Sequence, residues 1–206
     1  DGFFRQNVEK QMLADDMTPE AIDSVFSNAV RILSHCPNPN IQQELAETGI
    51  VIGKVQSGKT SNFISVLALA FDNGYDIAIV LGGNTLDLLK QNASRITSAF
   101  NVDSEKLTVL KTNDNKSLIN PARIRDFLEN GHKVIIVGLK HNKHIDQIAE
   151  IFDSSYLSDK SVLIVDDEGD QATLNTKAYK NSISKTYGSV LNLKSKLKSH
   201  CFLSVT

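Results

Sequence analysis

Residues Gly53-Lys54-Val55-Gln56-Ser57-Gly58-Lys59-Thr60 spell Gly-x-x-x-x-Gly-Lys-Thr, a segment that works only where a strand stops and a helix begins. Gly53 and Gly58 let the backbone curl so tightly that successive N–H groups converge on one point. A helix starting at Lys59 adds its own unpaired N–H groups and the positive end of its dipole to the same point. The flanks read accordingly. Thr48-Gly49-Ile50-Val51-Ile52 has the apolar character of a buried strand entering the loop, and residues 59–72 read as the helix leaving it. Such a cradle suits the phosphates of a nucleotide. Lys59 is placed to reach the β- and γ-phosphates, the Thr60 hydroxyl is placed to ligate Mg²⁺, and Ser61 closes the set of nucleotide-binding residues that begins at Gly53.

Mg²⁺ takes oxygen ligands and keeps several waters, so one hydroxyl, one carboxylate and two phosphate oxygens suffice. The carboxylate should come from the end of a neighbouring strand. Val162-Leu163-Ile164-Val165-Asp166-Asp167-Glu168 is an apolar run that ends in acids. Asp167 is the expected ligand. Its neighbour Asp166 stays open as an alternative, because ligation needs only one of the two. Glu168 is the expected catalytic base, orienting and deprotonating the attacking water, with Lys59 the second catalytic group. The two segments together, in this order, indicate a nucleoside-triphosphatase. A GTPase is disfavoured: Asn142-Lys143-His144-Ile145 lacks the aspartate of a guanine-reading motif and precedes the acidic segment instead of following it.

Strand-like runs at 49–53, 76–82, 107–112, 133–139, 161–166 and 201–206 alternate with helix-like segments at about 59–72, 85–99, 121–130, 142–152 and 182–198. Runs such as Val134-Ile135-Ile136-Val137 are apolar throughout, which fits strands covered on both faces. The expected architecture is therefore α/β, a mostly parallel sheet with helices on both sides and ligands at the carboxyl ends of its strands. Residues 18–34 read as an amphipathic helix opened by Thr18 and Pro19, and Pro37-Asn38-Pro39-Asn40 breaks the chain after it. This divides the sequence into a helical appendage, 1–40, and a nucleotide-binding lobe, 41–206.

No apolar run reaches the ~20 residues of a membrane span and no secretory signal opens the chain. Cys36 and Cys201 are the only cysteines and lack metal-ligand spacing, so a reducing cytoplasm is the expected location. The chain opens on Asp1 and stops inside an apparent strand, which reads as a piece of a longer protein. All 24 acidic residues lie before position 171, whereas the last 36 residues hold six lysines and no acid. That basic end is either a contact surface for nucleic acid or a solvated helix face. His141 and His144 have the spacing of a metal pair, but no third ligand lies near them in sequence.

Six strands, with the phosphate loop after the first and acids after the fifth, resemble the first RecA-like lobe of superfamily 2 helicases and related DNA translocases. Asp167-Glu168-Gly169-Asp170 matches the family's Asp-Glu-x-Asp. The resemblance implies an ATP- and Mg-dependent motor, with nucleic-acid contacts after the second strand (Gly83, Asn84, Thr85) and after the fourth (Lys140, His141, Lys143). It also implies residues that couple hydrolysis to movement: Asp170, Gln171 and Thr206, the last as the first residue of a Ser/Thr-Ala-Thr motif or the third of Ser204-Val205-Thr206. Gly-x-Val-Gln-Ser-Gly-Lys-Thr with Asp166-Asp167-Glu168-Gly169-Asp170-Gln171-Ala172 is similar, more closely, to the endonuclease-associated helicase-like ATPases of prokaryotic restriction and defence loci. That resemblance spans residues 49–206 and implies DNA more than RNA as partner, a second RecA-like lobe and a nuclease-type domain. The adenine-contacting glutamine of such proteins is matched only by Gln42 or Gln43. A nucleotide-gated switch without translocation is the alternative function. Arg5 and Arg31 fall in the appendage and Arg95, Arg123 and Arg125 on crossover helices, so the site is expected to lack an arginine finger of its own and the isolated chain to be nearly inactive.

Overall fold

The computed structural model describes residues 2–41, 44–52, 59–100, 106–113, 119–167, 169 and 183–206, with the backbone alone for Lys59 and Thr60. Residues 53–58 of the phosphate loop, Glu168, Asp170, Gln171, Gln42, Gln43, Lys177 and Lys180 lie outside the described residues. The strands are β1 (Ala46–Val51), β2 (Ile77–Leu81), β3 (Leu107–Lys111), β4 (Lys133–Gly138), β5 (Ser161–Asp167) and β6 (Ser199–Val205). The helices are α1 (Phe3–Ala14), α2 (Pro19–Leu33), α3 (Lys59–Asp72), α4 (Leu86–Phe100), α5 (Pro121–Glu129), α6 (Asn142–Ile151), the one-turn α7 (Ser155–Ser158) and α8 (Lys185–Ser195).

The strands form one sheet in the order β1-β6-β5-β2-β4-β3, and every pairing is parallel. Side chains alternate across it. Ala78, Val80, Ile135, Val137, Leu163, Val165, Leu203 and Val205 face one core, built with α1, α2, α3 and α4. Ile77, Ile79, Val134, Ile136, Val162, Ile164 and Phe202 face the other, built with α5, α6, α7 and α8. With both faces covered, the central strands are built mainly of apolar side chains. This is the α/β architecture expected from the sequence.

Two features depart from expectation. β1 is one of the two edge strands, paired among the described residues with β6 alone, and it is not buried: Ile50 is 71% exposed and Ile52, just past its end, 78%. Successive side chains alternate between faces, so Val51 packs on the α3-side core while Ile50 points to the opposite face and stays open to solvent. The N-terminal helices, expected to stand as an appendage, share the core of α3 and α4 through Phe4, Val8, Met12, Ile22, Phe26 and Ala29. Asp72, at the end of α3, accepts hydrogen bonds from the backbone N–H groups of Phe4 (3.0 Å) and Arg5 (2.9 Å) and so caps α1. A side chain at Gly2 would collide with the Asp72 carboxylate. The Pro37-Asn38-Pro39-Asn40 break is fastened as well, since the Tyr75 hydroxyl donates to Pro37 O at 2.5 Å and Asn40 Nδ2 donates to Asn73 O at 3.1 Å.

Candidate functional site

In a parallel sheet the carboxyl ends of all strands point one way, so Val51, Asp167 and Val205, the last residues of β1, β5 and β6, lie at one rim. β6 lies between β1 and β5, with Val51 opposite Val205 and Val205 opposite Asp167. Thr206 N–H donates to Val51 O at 2.9 Å, tying the end of β6 to the strand that feeds the phosphate loop. Gly169 N–H donates to Val205 O at 2.8 Å, so the chain leaving β5 folds over the end of β6. A Cβ at Gly169 would strike the Ser204 hydroxyl, so any other residue there requires that side chain to turn away. Lys59 and Thr60 open α3, which packs on the face of the sheet that carries Leu163 and Val165.

That alternation separates the two aspartates. Val165 and Asp167 share a face, the α3 side; Ile164 and Asp166 share the opposite one. Asp166 is 1% exposed and its Oδ1 lies 3.0 Å from Lys140 Nζ, in an ion pair whose side chains are 2% and 3% exposed. Asp167 is half-buried and faces the helix that bears Thr60. Gly82 lies beside it: a Cβ built there would be 3.9 Å from Asp167 Cβ and 2.5 Å from Asn92 Nδ2. The absent side chain of Gly82 is what lets the Asn92 amide approach there, and an acidic oxygen donor at the end of β5, on the side of the sheet that carries α3, is the kind of ligand a hard cation such as Mg²⁺ takes.

Lys140 is therefore not the surface contact expected of it. Its ammonium is committed to a buried carboxylate, because the turn after β4 brings Lys140 against Asp166 near the end of β5. Its backbone N–H donates to Gly83 O at 3.0 Å, and Gly82 N–H donates to Gly138 O at 3.0 Å, so the turns after β2 and β4 are stitched together. Gly83 has φ +71°, and a Cβ there would lie 2.6 Å from Leu88 Cβ. Asn84 and Thr85 are exposed, and Thr85 opens α4 by accepting from Leu88 N–H at 3.4 Å. His141 caps α6, its Nδ1 accepting from Lys143 N–H at 3.4 Å, and Lys143 is exposed. His144 hydrogen-bonds the buried Thr112 hydroxyl at 2.7 Å, and burial, then the neighbouring His141, lower its pKa. The structure thus gathers Gly83, Asn84, Thr85, His141 and Lys143 at the ends of β2 and β4. Leu86 and Leu88 of the same segment are exposed beside them. Among the described residues no group of three or more His, Cys, Asp or Glu is arranged to hold a metal.

Three of the C-terminal lysines have structural partners. Lys196 pairs with Asp153, Lys198 Nζ lies 2.5 Å from Asp159, and Lys194 donates to Thr48 Oγ1 at 2.7 Å while lying over the Phe202 ring. These are contacts of a solvated helix end, the blander of the two readings of the basic segment.

A cleft of about 600 Å³ lies between α2 and β1, lined by Asn28, Arg31, His35, Ile50, Ile52 and Asn62 among others. It touches both flanks of the phosphate loop, since Ile52 precedes the loop and Asn62 belongs to the first turn of α3. Asn62 Oδ1 is buried with no hydrogen-bond partner among the described residues. Sequence reading placed Arg31 away from the site. The helix spacing of Asn28, Arg31 and His35 is visible in the sequence, but only the packing of α2 beside β1 turns that stripe toward the loop. Arg123 and Arg125 are exposed on α5 as expected; Arg95 lines a separate hollow with Gln11 and Asp15 of α1 and the α1–α2 turn.

No helix among the described residues is long and apolar enough to cross a membrane. No protein-family model matches the chain, and no curated protein matches it. Among solved structures the chain is similar to the Hef helicase domain of Pyrococcus furiosus, with 17% identity and a TM-score of 0.47 over 86% of this chain and 31% of that one. It is also similar to the DEAD-box helicase Mss116 bound to ssRNA and UDP-BeF, with 15% identity and a TM-score of 0.45 over 87% of this chain and 37% of that one. The chain spans well under half the length of either structure.

Proposed function

We propose that this chain is the ATP-binding and ATP-hydrolysing RecA-like lobe of a helicase- or translocase-type motor. In this reading residues 53–61 cradle the phosphates, with Lys59 on the β- and γ-phosphates. Thr60 and Asp167 would hold Mg²⁺, which when bound neutralises charge on the phosphate oxygens. Glu168 accepts the proton of the attacking water. The cleft between α2 and β1 takes the base, with Asn62 Oδ1 an acceptor suited to the exocyclic amine of adenine. Gly83, Asn84, Thr85, His141 and Lys143 face nucleic acid, DNA in preference to RNA, and Asp170, Gln171 and Thr206 couple hydrolysis to movement. The motif set further points to a prokaryotic restriction or defence endonuclease acting in the cytoplasm, with a second RecA-like lobe and a nuclease-type domain. That second lobe completes an otherwise half-built site, so the chain alone turns over little.

The observation that carries this reading is the division of labour between the two aspartates. Asp166 pairs with Lys140 inside the sheet, and Asp167 is half-buried on the face that carries α3. Alternation along β5 puts the two on opposite faces, and the packing of α3 on one of those faces is what gives Asp167 the position a metal ligand needs. Calorimetric titration with Mg-ATP tests it. Lys59→Ala should abolish binding with the fold intact, and Asp167→Asn should weaken binding and its Mg²⁺ dependence together. Unchanged affinity in Lys59→Ala would remove the nucleotide site. ATP binding and turnover that nucleic acid does not stimulate in the full-length protein would favour a nucleotide-gated switch over a motor.

A further inference from the structure

Cys36 and Cys201 are 165 positions apart in the chain, yet their sulfurs meet in the structure, with the Cys201 thiol donating to Cys36 Sγ at 2.9 Å. Cys36 follows the end of α2. Cys201 lies in β6, opposite Glu47 of β1 and Leu163 of β5. The two sulfurs need approach by less than ~1 Å to reach the ~2.05 Å of an S–S bond. Access to them is unequal. Cys201 is buried, whereas Cys36 is half-buried and lines an open hollow of about 480 Å³ with Leu33, Pro37, Asn73 and Tyr75. A small solute reaches Cys36 from this hollow.

The electrostatics follow the same asymmetry. The hydrogen bond from Cys201 lowers the pKa of the Cys36 thiol, against the opposing effects of burial and of Glu47. The same hydrogen bond, and then burial, raise that of Cys201. The thiolate is the nucleophilic form, so Cys36 is the reactive member and Cys201 waits behind it with its proton.

We propose that Cys36 and Cys201 are a modification site, a thiol pair that peroxide-class oxidants convert into a reversible disulfide. The Cys36 sulfur attacks one peroxide oxygen; the O–O bond breaks and the sulfur loses two electrons to become a sulfenic acid. The departing hydroxide takes up the proton that Cys36 released, giving water. The Cys201 sulfur then attacks the Cys36 sulfur, the S–O bond breaks, and the leaving hydroxide takes the Cys201 proton as a second water. Two thiols and one hydrogen peroxide thus give one disulfide and two waters. In a reducing compartment such a bond is transient, because cellular thiols reduce it back to the two cysteines and are themselves oxidised to a disulfide, as suits a sensor. Its structural effect is specific. It fastens the end of α2, which forms one wall of the cleft beside β1, to the strand that separates β1 from β5.

The test exposes the reduced 206-residue chain to hydrogen peroxide. It follows intact mass, free thiols and a non-reducing peptide map. The expected result is a loss of two hydrogens, disappearance of both thiols, a cross-linked Cys36–Cys201 peptide, reversal by dithiothreitol, and a higher urea midpoint for the oxidised chain. Cys201→Ala should instead accumulate oxygen on Cys36, and Cys36→Ser should lose the reaction entirely. Oxygen additions to wild-type Cys36 without hydrogen loss, cross-links between chains, or thiols that persist would each overturn the proposal. Should Cys201→Ala not fold, the wild-type peptide map decides by itself.

Discussion

Replacing Lys140 by methionine tests how the acidic rim is organised. The substitution keeps the length of the side chain and removes its charge, leaving Asp166 without its ammonium partner at a position 2% exposed. Breaking a buried ion pair by removing one member costs about 3–5 kcal/mol, because the remaining charge is poorly solvated, whereas replacing both members by neutral groups of similar volume is close to neutral. Against a typical domain stability of ~5–15 kcal/mol, the single change takes a large share. Lys140→Met should therefore lower the urea midpoint strongly at unchanged slope, read by far-ultraviolet circular dichroism, since the chain has no tryptophan. The double variant Lys140→Met/Asp166→Asn should recover most of the loss. Asp166 faces away from α3, so the double variant should also bind Mg-nucleotide within a few-fold of wild type. A loss under about 1 kcal/mol in the single variant would mean that the pair behaves as a surface bridge. Loss of Mg-dependent binding in the double variant would make Asp166, not Asp167, the metal ligand.

Gly83→Ala should destabilise more than Gly131→Ala. Both residues have positive φ, a backbone cost of about 1–2 kcal/mol for alanine, but a Cβ at Gly83 also meets Leu88 at 2.6 Å while one at Gly131 meets nothing within 4 Å; equal midpoints in urea would refute the close packing of the β2–α4 turn. Stability should fall as pH drops through ~6.5, the value of a free imidazole. Burial, reinforced by Lys194 at His200 and by His141 at His144, lowers the folded pKa of both histidines. The unfolded chain therefore binds protons that the folded chain resists. A urea midpoint that is flat between about pH 7.5 and pH 5.5, or a decline that His200→Gln leaves untouched, would contradict this assignment.

Much of the fold is legible in the sequence because the physics that sets it is local. Val134-Ile135-Ile136-Val137 can be satisfied only in a strand covered on both faces, and Asn120-Pro121 opens α5 where the cap and the fixed φ of proline place it. The six strands fall within a few residues of their expected places. Other features were not legible for identifiable reasons. The apolar run before the phosphate loop looks like any interior strand, and its exposure at the sheet edge follows from strand order, which periodicity does not encode. Lys140 reads as one more basic residue in a loop until β4 and β5 are placed on either side of β2, where its ammonium meets Asp166.

By itself, then, the sequence determined the α/β alternation, the strand before and the helix after residues 53–58, and the acidic end of β5, since each is written in neighbouring residues. The tertiary structure alone decided which aspartate faces α3, which lysine is spent on an ion pair, and that Cys36 lies against Cys201. Adjacent residues on a strand point to opposite faces, and only the packing of helices on those faces tells one aspartate from the other.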